Sequence, residues 1–141
     1  MLSFSHIQLN VSDLARSVRF YMSVLGPFGF QEADAEEGQY ARLTNGRDAV
    51  IVLSPVEEKH RDLGHHRKRA GLSHVAFSVE SHQEIDRMAG ILATLGIPLL
   101  GEGKVELDYR RGYCTLAFED PDRIMIEIVH HDAHYFSAAP P

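Results

Sequence analysis

The chain reads as an α+β protein made of two tandem β-α-β-β-β modules. Three observations carry that reading. One strand, one helix and three strands follow one another, and the same order then recurs within 141 residues. Equivalent residues keep their spacing: His6 and His74, like Val11 and Val79, lie 68 positions apart, and Leu25-Gly26 and Leu95-Gly96 lie 70 apart. Both helices carry an apolar stripe and stop at a glycine. An internal repeat is stronger fold evidence than any single motif.

The first module spans about residues 4–56. In "HIQLNVSD" (6–13), Ile7, Leu9 and Val11 alternate with His6, Gln8 and Asn10, the period of a strand with one apolar face. "SDLARSVRFYMSVLGPFGF" then reads as a helix. Ser12 or Asp13 is its N-cap, Leu14, Val18, Tyr21 and Leu25 form its stripe, and Gly26-Pro27 end it. A short strand is expected near Phe30. "QYARLT" and "DAVIVLS" follow as strands around the turn "NGR" at 45–47.

The second module spans about residues 71–131. "AGLSHVAFSV" (70–79) places Val75, Phe77 and Val79 on one face and His74, Ala76 and Ser78 on the other. "SHQEIDRMAGILATLGI" is a helix with Ile85, Met88, Ile91 or Leu92, and Leu95 as its stripe and Gly96 as its cap. "PLLGEGKVEL" holds a further strand, "GYCTLAFE" and "RIMIEIV" are two more around "DPD" at 120–122, and "HHDAHYFSAAPP" reads as a tail. Both modules together form one domain over 1–141, in keeping with its length.

Bulk properties narrow the function classes. A net charge of −6 argues against general nucleic-acid binding, which needs a basic surface. "KHRDLGHHRKR" (59–69) is a basic exception, either a solvated loop or a rim of positive charge beside an anionic ligand. No run approaches the roughly 18 apolar residues of a membrane span, no leader pattern opens the chain, and the lone Cys114 forms no internal disulfide. A cytoplasmic protein is expected.

The repeat also places the candidate chemistry. Each helix covers the apolar face of its own sheet, and burial worth roughly 25 cal/mol per Å² holds it there. The opposite faces then look inward on a concavity. Period 2 puts His6, Gln8, His74, Ala76, Met125, Glu127 and Val129 on those inner faces, with Tyr113, Thr115 and Ala117; Cys114, Leu116 and Phe118 pack outward. His6, His74 and Glu127 are thus three potential metal ligands. Glu127 lies between Ile126 and Ile128, and desolvating an unpaired carboxylate costs several kcal/mol, a cost that a divalent cation removes. Val52 falls at the position of the first module that matches Glu127.

"HIQLNVSDLARSVRFYMSVLG", "GLSHVAFSV" and "FEDPDRIMIEIV" resemble the vicinal oxygen chelate superfamily, which includes glyoxalase I, extradiol dioxygenases, fosfomycin-resistance enzymes and bleomycin-binding proteins. The resemblance implies that the two modules form a half-open barrel-like sheet with the helices outside, around a metal that chelates two adjacent oxygens of a small-molecule substrate. Carried over residue by residue, the metal ligands are His6, His74 and Glu127, and Glu127 is also catalytic. Glyoxalase I enzymes have a fourth, acidic ligand where this chain has Val52, so the site resembles three-ligand members with two histidines and one carboxylate. That set suits Fe(II) or Mn(II) and accommodates Zn(II) or Ni(II). Fosfomycin enzymes carry a tyrosine where Ala117 stands, which argues against that substrate. Tyr113 is the expected hydrogen-bonding or acid–base group. Gln8, Val52, Ala76, Arg110, Thr115, Ala117 and Met125 are the expected pocket residues, with Arg110 and Arg111 as candidates for an anionic group. His65 and His66 are not expected to ligate. Lyase, isomerase and ring-cleaving dioxygenase chemistry all remain open. A homodimer without a membrane partner is expected. The rival reading is a metal-free protein that sequesters a drug, as bleomycin-binding relatives do.

Overall fold

A computed structural model describes residues 3–101, 103, 105–108 and 113–131. Their order is β1 (Ile7–Val11), α1 (Leu14–Leu25), β2 (Gln31–Glu36), β3 (Tyr40–Thr44) and β4 (Val50–Pro55), then β5 (His74–Ser78), α2 (His82–Leu95), β6 (Val105–Asp108), β7 (Tyr113–Glu119) and β8 (Met125–His130). The duplicated β-α-β-β-β order is therefore present, in a mixed α+β fold. The chain divides into two compact units. One comprises the residues up to His65 with Asp120–Asp122; the other comprises His66–Glu119 and the residues from Arg123 onward.

Both units have the same sheet. In the first the order is β1-β4-β3-β2, and in the second β5-β8-β7-β6. The first strand of each runs parallel to the last, with Gln8 beside Val52 and Ala76 beside Glu127. The remaining neighbours are antiparallel hairpin partners. Identical topology makes residues of matching register structural equivalents.

In the first unit, Leu9, Val11, Ala41, Leu43, Ile51 and Leu53 form a buried face. Helix α1 covers it with Ser17, Tyr21, Val24 and Leu25. The expected stripe is thus rotated: Leu14 and Val18 are only half-buried at its border. Asp13 is the N-cap, its carboxylate accepting the backbone N–H of Arg16 at 2.9 Å. Ser12 is not the cap; its N–H and hydroxyl both donate to Asp122. A 3₁₀ turn over Gly26–Phe28 follows α1, and the chain reverses at Gly29 (φ 91°), a left-handed conformation that glycine adopts without strain.

In the second unit, Ile85, Met88 and Leu92 of α2 are buried, as are Cys114, Leu116, Phe118, Ile126 and Ile128. The sequence reading expects a thoroughly covered Val75/Phe77 face, but both residues are only half-buried. The cause is placement: β5 is an edge strand, and α2 packs chiefly on β7 and β8. Leu95, expected in the stripe, is 45% exposed. Arg110, Arg111 and the tail beyond His131 lie outside the described residues. Among the described residues no helix is long and apolar enough to cross a membrane.

Candidate functional site

The face of each sheet turned away from its helix carries the candidate residues. On the second sheet, Glu127 occupies the middle of β8, with Ala76 beside it on β5 and Ala117 on β7. Two alanines leave the carboxylate uncrowded. The Thr115 hydroxyl donates to Glu127 Oε1 at 2.7 Å, and His74 Nε2 stands 3.4 Å from Oε2. The Glu127 side chain is 14% exposed and that of His74 41%. Among the described residues no Arg or Lys pairs with Glu127. Met125 and Ala117 are half-buried on the same face, and Thr115 and Val129 are buried there. Tyr113 is half-buried at the start of β7, its ring stacked 6.5 Å from that of His131 at an interplanar angle of 13°.

His6 and Gln8 belong to the first sheet. His6 is exposed immediately before β1, in the position that His74 holds at the start of β5. Each histidine follows a serine whose hydroxyl meets its Nδ1, Ser5 at 3.1 Å and Ser73 at 3.2 Å. In the tautomer whose Nδ1–H donates to the serine oxygen, the Nε2 lone pair is the one left for a ligand. The repeated "SH" dipeptide, 68 positions apart, is the sequence signal for these serines.

The first sheet's open face forms a cleft of about 630 Å³. Gln8, Tyr40, Arg42, Val50, Val52 and Ser54 line it, with His6 at one end. Gln8 Nε2 donates to Ser54 Oγ at 3.2 Å. Arg42 Nη1 donates to Asp34, its direct cross-strand partner on β2, at 3.0 Å. Gln8 and Val52 were expected here from the sequence; Tyr40, Arg42, Val50 and Ser54 were not. Strict alternation in "QYARLT" and "DAVIVLS" places all four on this face.

Three cations of the basic loop are paired with acids outside it. Arg61 pairs with Glu58, Lys59 with Glu57, and Arg67 with Glu119. Among the described residues no group of three or more His, Cys, Asp or Glu side chains is gathered into a metal-binding set. The pair that the structure brings together is His74 with Glu127, and its donor set, one imidazole and one carboxylate with no Lys or Arg partner among the described residues, is chemically fit for a divalent ion.

Residues 3–128 match the family model described as the Glyoxalase/Bleomycin resistance protein/Dioxygenase superfamily. The chain is 33% identical to the protein YqjT of Bacillus subtilis (strain 168) over 129 residues, covering 88% of this chain and 95% of that one. A glyoxylase/bleomycin resistance protein/dioxygenase domain from Frankia sp. EAN1pec superposes with a TM-score of 0.78 at 28% identity, covering 96% of each chain. A point mutant of the fosfomycin resistance protein FosX from Listeria monocytogenes, complexed with Mn(II) and 1S,2S-dihydroxypropylphosphonic acid, shares the fold. Its TM-score is 0.68 at 17% identity, over 91% of this chain and 89% of that one.

Proposed function

The chain belongs to the glyoxalase/bleomycin resistance protein/dioxygenase superfamily, and from that premise we propose that it is a metal-dependent enzyme acting on a small molecule with two adjacent oxygens. Members of this superfamily bind small-molecule substrates, and the related FosX binds Mn(II). The observation that carries the proposal is Glu127, a mostly buried carboxylate whose polar neighbours among the described residues are an imidazole and a hydroxyl, with no Lys or Arg.

On this reading His74 and Glu127 would hold the metal, with His6 as the third ligand that the family resemblance implies. Fe(II) or Mn(II) suits this set best, with Zn(II) and Ni(II) also accommodated. When bound, the metal supplies Lewis acidity to the substrate's oxygens. Thr115 fixes Oε1 of Glu127 and so turns Oε2 toward His74 Nε2. Ser5 and Ser73 orient the two rings through Nδ1. Tyr113 donates a hydrogen bond or a proton to the substrate. Val52, Ala76, Ala117 and Met125 supply apolar surface, and Gln8 with Ser54 supplies polar contacts. Valine at position 52 contributes no fourth ligand, which disfavours glyoxalase I chemistry itself. Lyase, isomerase and ring-cleaving dioxygenase reactions all fit the three-ligand set.

Metal titration of the purified protein tests the proposal. One equivalent of Mn(II) or Fe(II) should bind, and His74→Ala or Glu127→Gln should weaken binding at least tenfold. Unchanged metal affinity in both variants contradicts it. Stabilisation by an apolar ligand with none by any divalent metal would favour a drug-sequestering protein.

A further inference from the structure

We propose that the open cleft of the first sheet binds a small organic oxyanion, a carboxylate or phosphonate with a short apolar body, and that Arg42 is the residue that selects it. The inference rests on reading this cleft as part of the substrate site, and it adds the substrate's charge class.

Charge is the first argument. The chain carries a net −6, yet among the described residues that line the cleft there is no carboxylate and Arg42 is the one formal cation, with Asp34 reaching its guanidinium from β2. A lining without acids in an acidic protein, presenting a guanidinium, favours an anion over a neutral or cationic ligand. Donor geometry is the second. A guanidinium has five N–H donors in a planar fork suited to two-oxygen groups. One of them, on Nη1, goes to Asp34, leaving others for a ligand. The Arg42 side chain is 47% exposed, so an incoming anion can reach it without rearranging the core. Size and polarity are the third. A volume of about 630 Å³ suits a small ligand. Val50 and Val52 form an apolar floor beside Arg42, while Tyr40, Gln8 and Ser54 add hydrogen-bonding groups. That combination fits one charged end and one short apolar segment.

Asp34 gives the proposal a second handle. It sits directly across from Arg42 on the edge strand β2 and is equally exposed at 47%. In the free protein its carboxylate is an internal competitor for the same guanidinium. Half-exposed ion pairs of this kind are weak, corresponding to a factor of about 1.5 to 5 in affinity. Removing the competitor should therefore tighten anion binding by that factor, whereas removing the arginine should abolish selectivity. A merely structural Arg42–Asp34 pair predicts no such opposition between the two variants.

The test is an NMR titration of the full-length ¹⁵N-labelled protein in excess EDTA, with butyrate, propylphosphonate and the neutral butanol as probes. The acids should shift the Val50 and Val52 amides saturably, and butanol should not; the tighter of the two acids identifies the head group. Arg42→Gln should weaken acid binding at least tenfold while keeping a folded spectrum, and Asp34→Asn should tighten it. The proposal is overturned if wild-type protein does not separate the acids from butanol, if Arg42→Gln binds like wild type, or if Asp34→Asn binds more weakly. EDTA makes the outcome independent of any metal, so metal binding and anion binding fail or succeed separately.

Discussion

Thr115 orients the carboxylate at the centre of the second sheet. Its hydroxyl donates to Oε1 of the mostly buried Glu127. Replacing it with valine keeps the shape and removes the donor, and a lost hydrogen bond to a charged group costs about 1.5–3 kcal/mol. Urea unfolding of Thr115→Val should show a loss in that range, and Ser73→Ala should reduce metal affinity by about tenfold through the orientation of His74. At this scale alternation made much legible: it separated His74, Thr115, Ala117 and Glu127 from Cys114, Leu116 and Phe118, and the structure keeps that division. It did not single out Arg42, because an arginine in a strand reads as a solvated charge until the neighbouring strand shows what stands beside it.

Each element follows from its own signals, and the departures have physical causes. Helix α1 begins at Asp13 because that carboxylate caps the Arg16 N–H, while Ser12 is already engaged by Asp122. Asp13→Ala should therefore cost about 0.5–2 kcal/mol of stability, read as a lower urea midpoint at unchanged slope, whereas Ser12 should not behave as a cap. Strand β2 was legible only as a strand near Phe30. "QEADAE" is exposed along its whole length and bulges between Glu32 and Asp34, so it has no apolar period to announce it. Strand β5 was read as fully covered because its face is apolar. Coverage depends on where the helix lies, and sequence alternation does not encode that α2 favours β7 and β8.

Duplication was the most legible property of the whole molecule. The spacings of 68 and 70 residues predict two modules of the same element order; that order is present, and the two sheets also share one strand order. One stability determinant escaped the pattern entirely, because it joins distant parts of the sequence: the Tyr21 hydroxyl donates to Asp120 at 3.0 Å. Burial, and then the negative charge of Asp120, its hydrogen bond and Asp122, hold the Tyr21 phenol well above its ordinary value of 10.0. The neutral phenol is thus favoured in the folded state. Its stabilising contribution is complete below about pH 10, where the unfolded tyrosine titrates, and is lost as pH rises toward the folded value. Unfolding free energies measured from pH 8 to 11 should fall more steeply in wild type than in Tyr21→Phe, and equal slopes would contradict this.

Crystals grown with Mn(II), measured for anomalous scattering at the manganese edge, locate the metal most directly. A single peak bonded to His6, His74 and Glu127, with no protein ligand from Val52, is the predicted result. A map with no such peak, or one whose peak lies away from Glu127, would contradict the account.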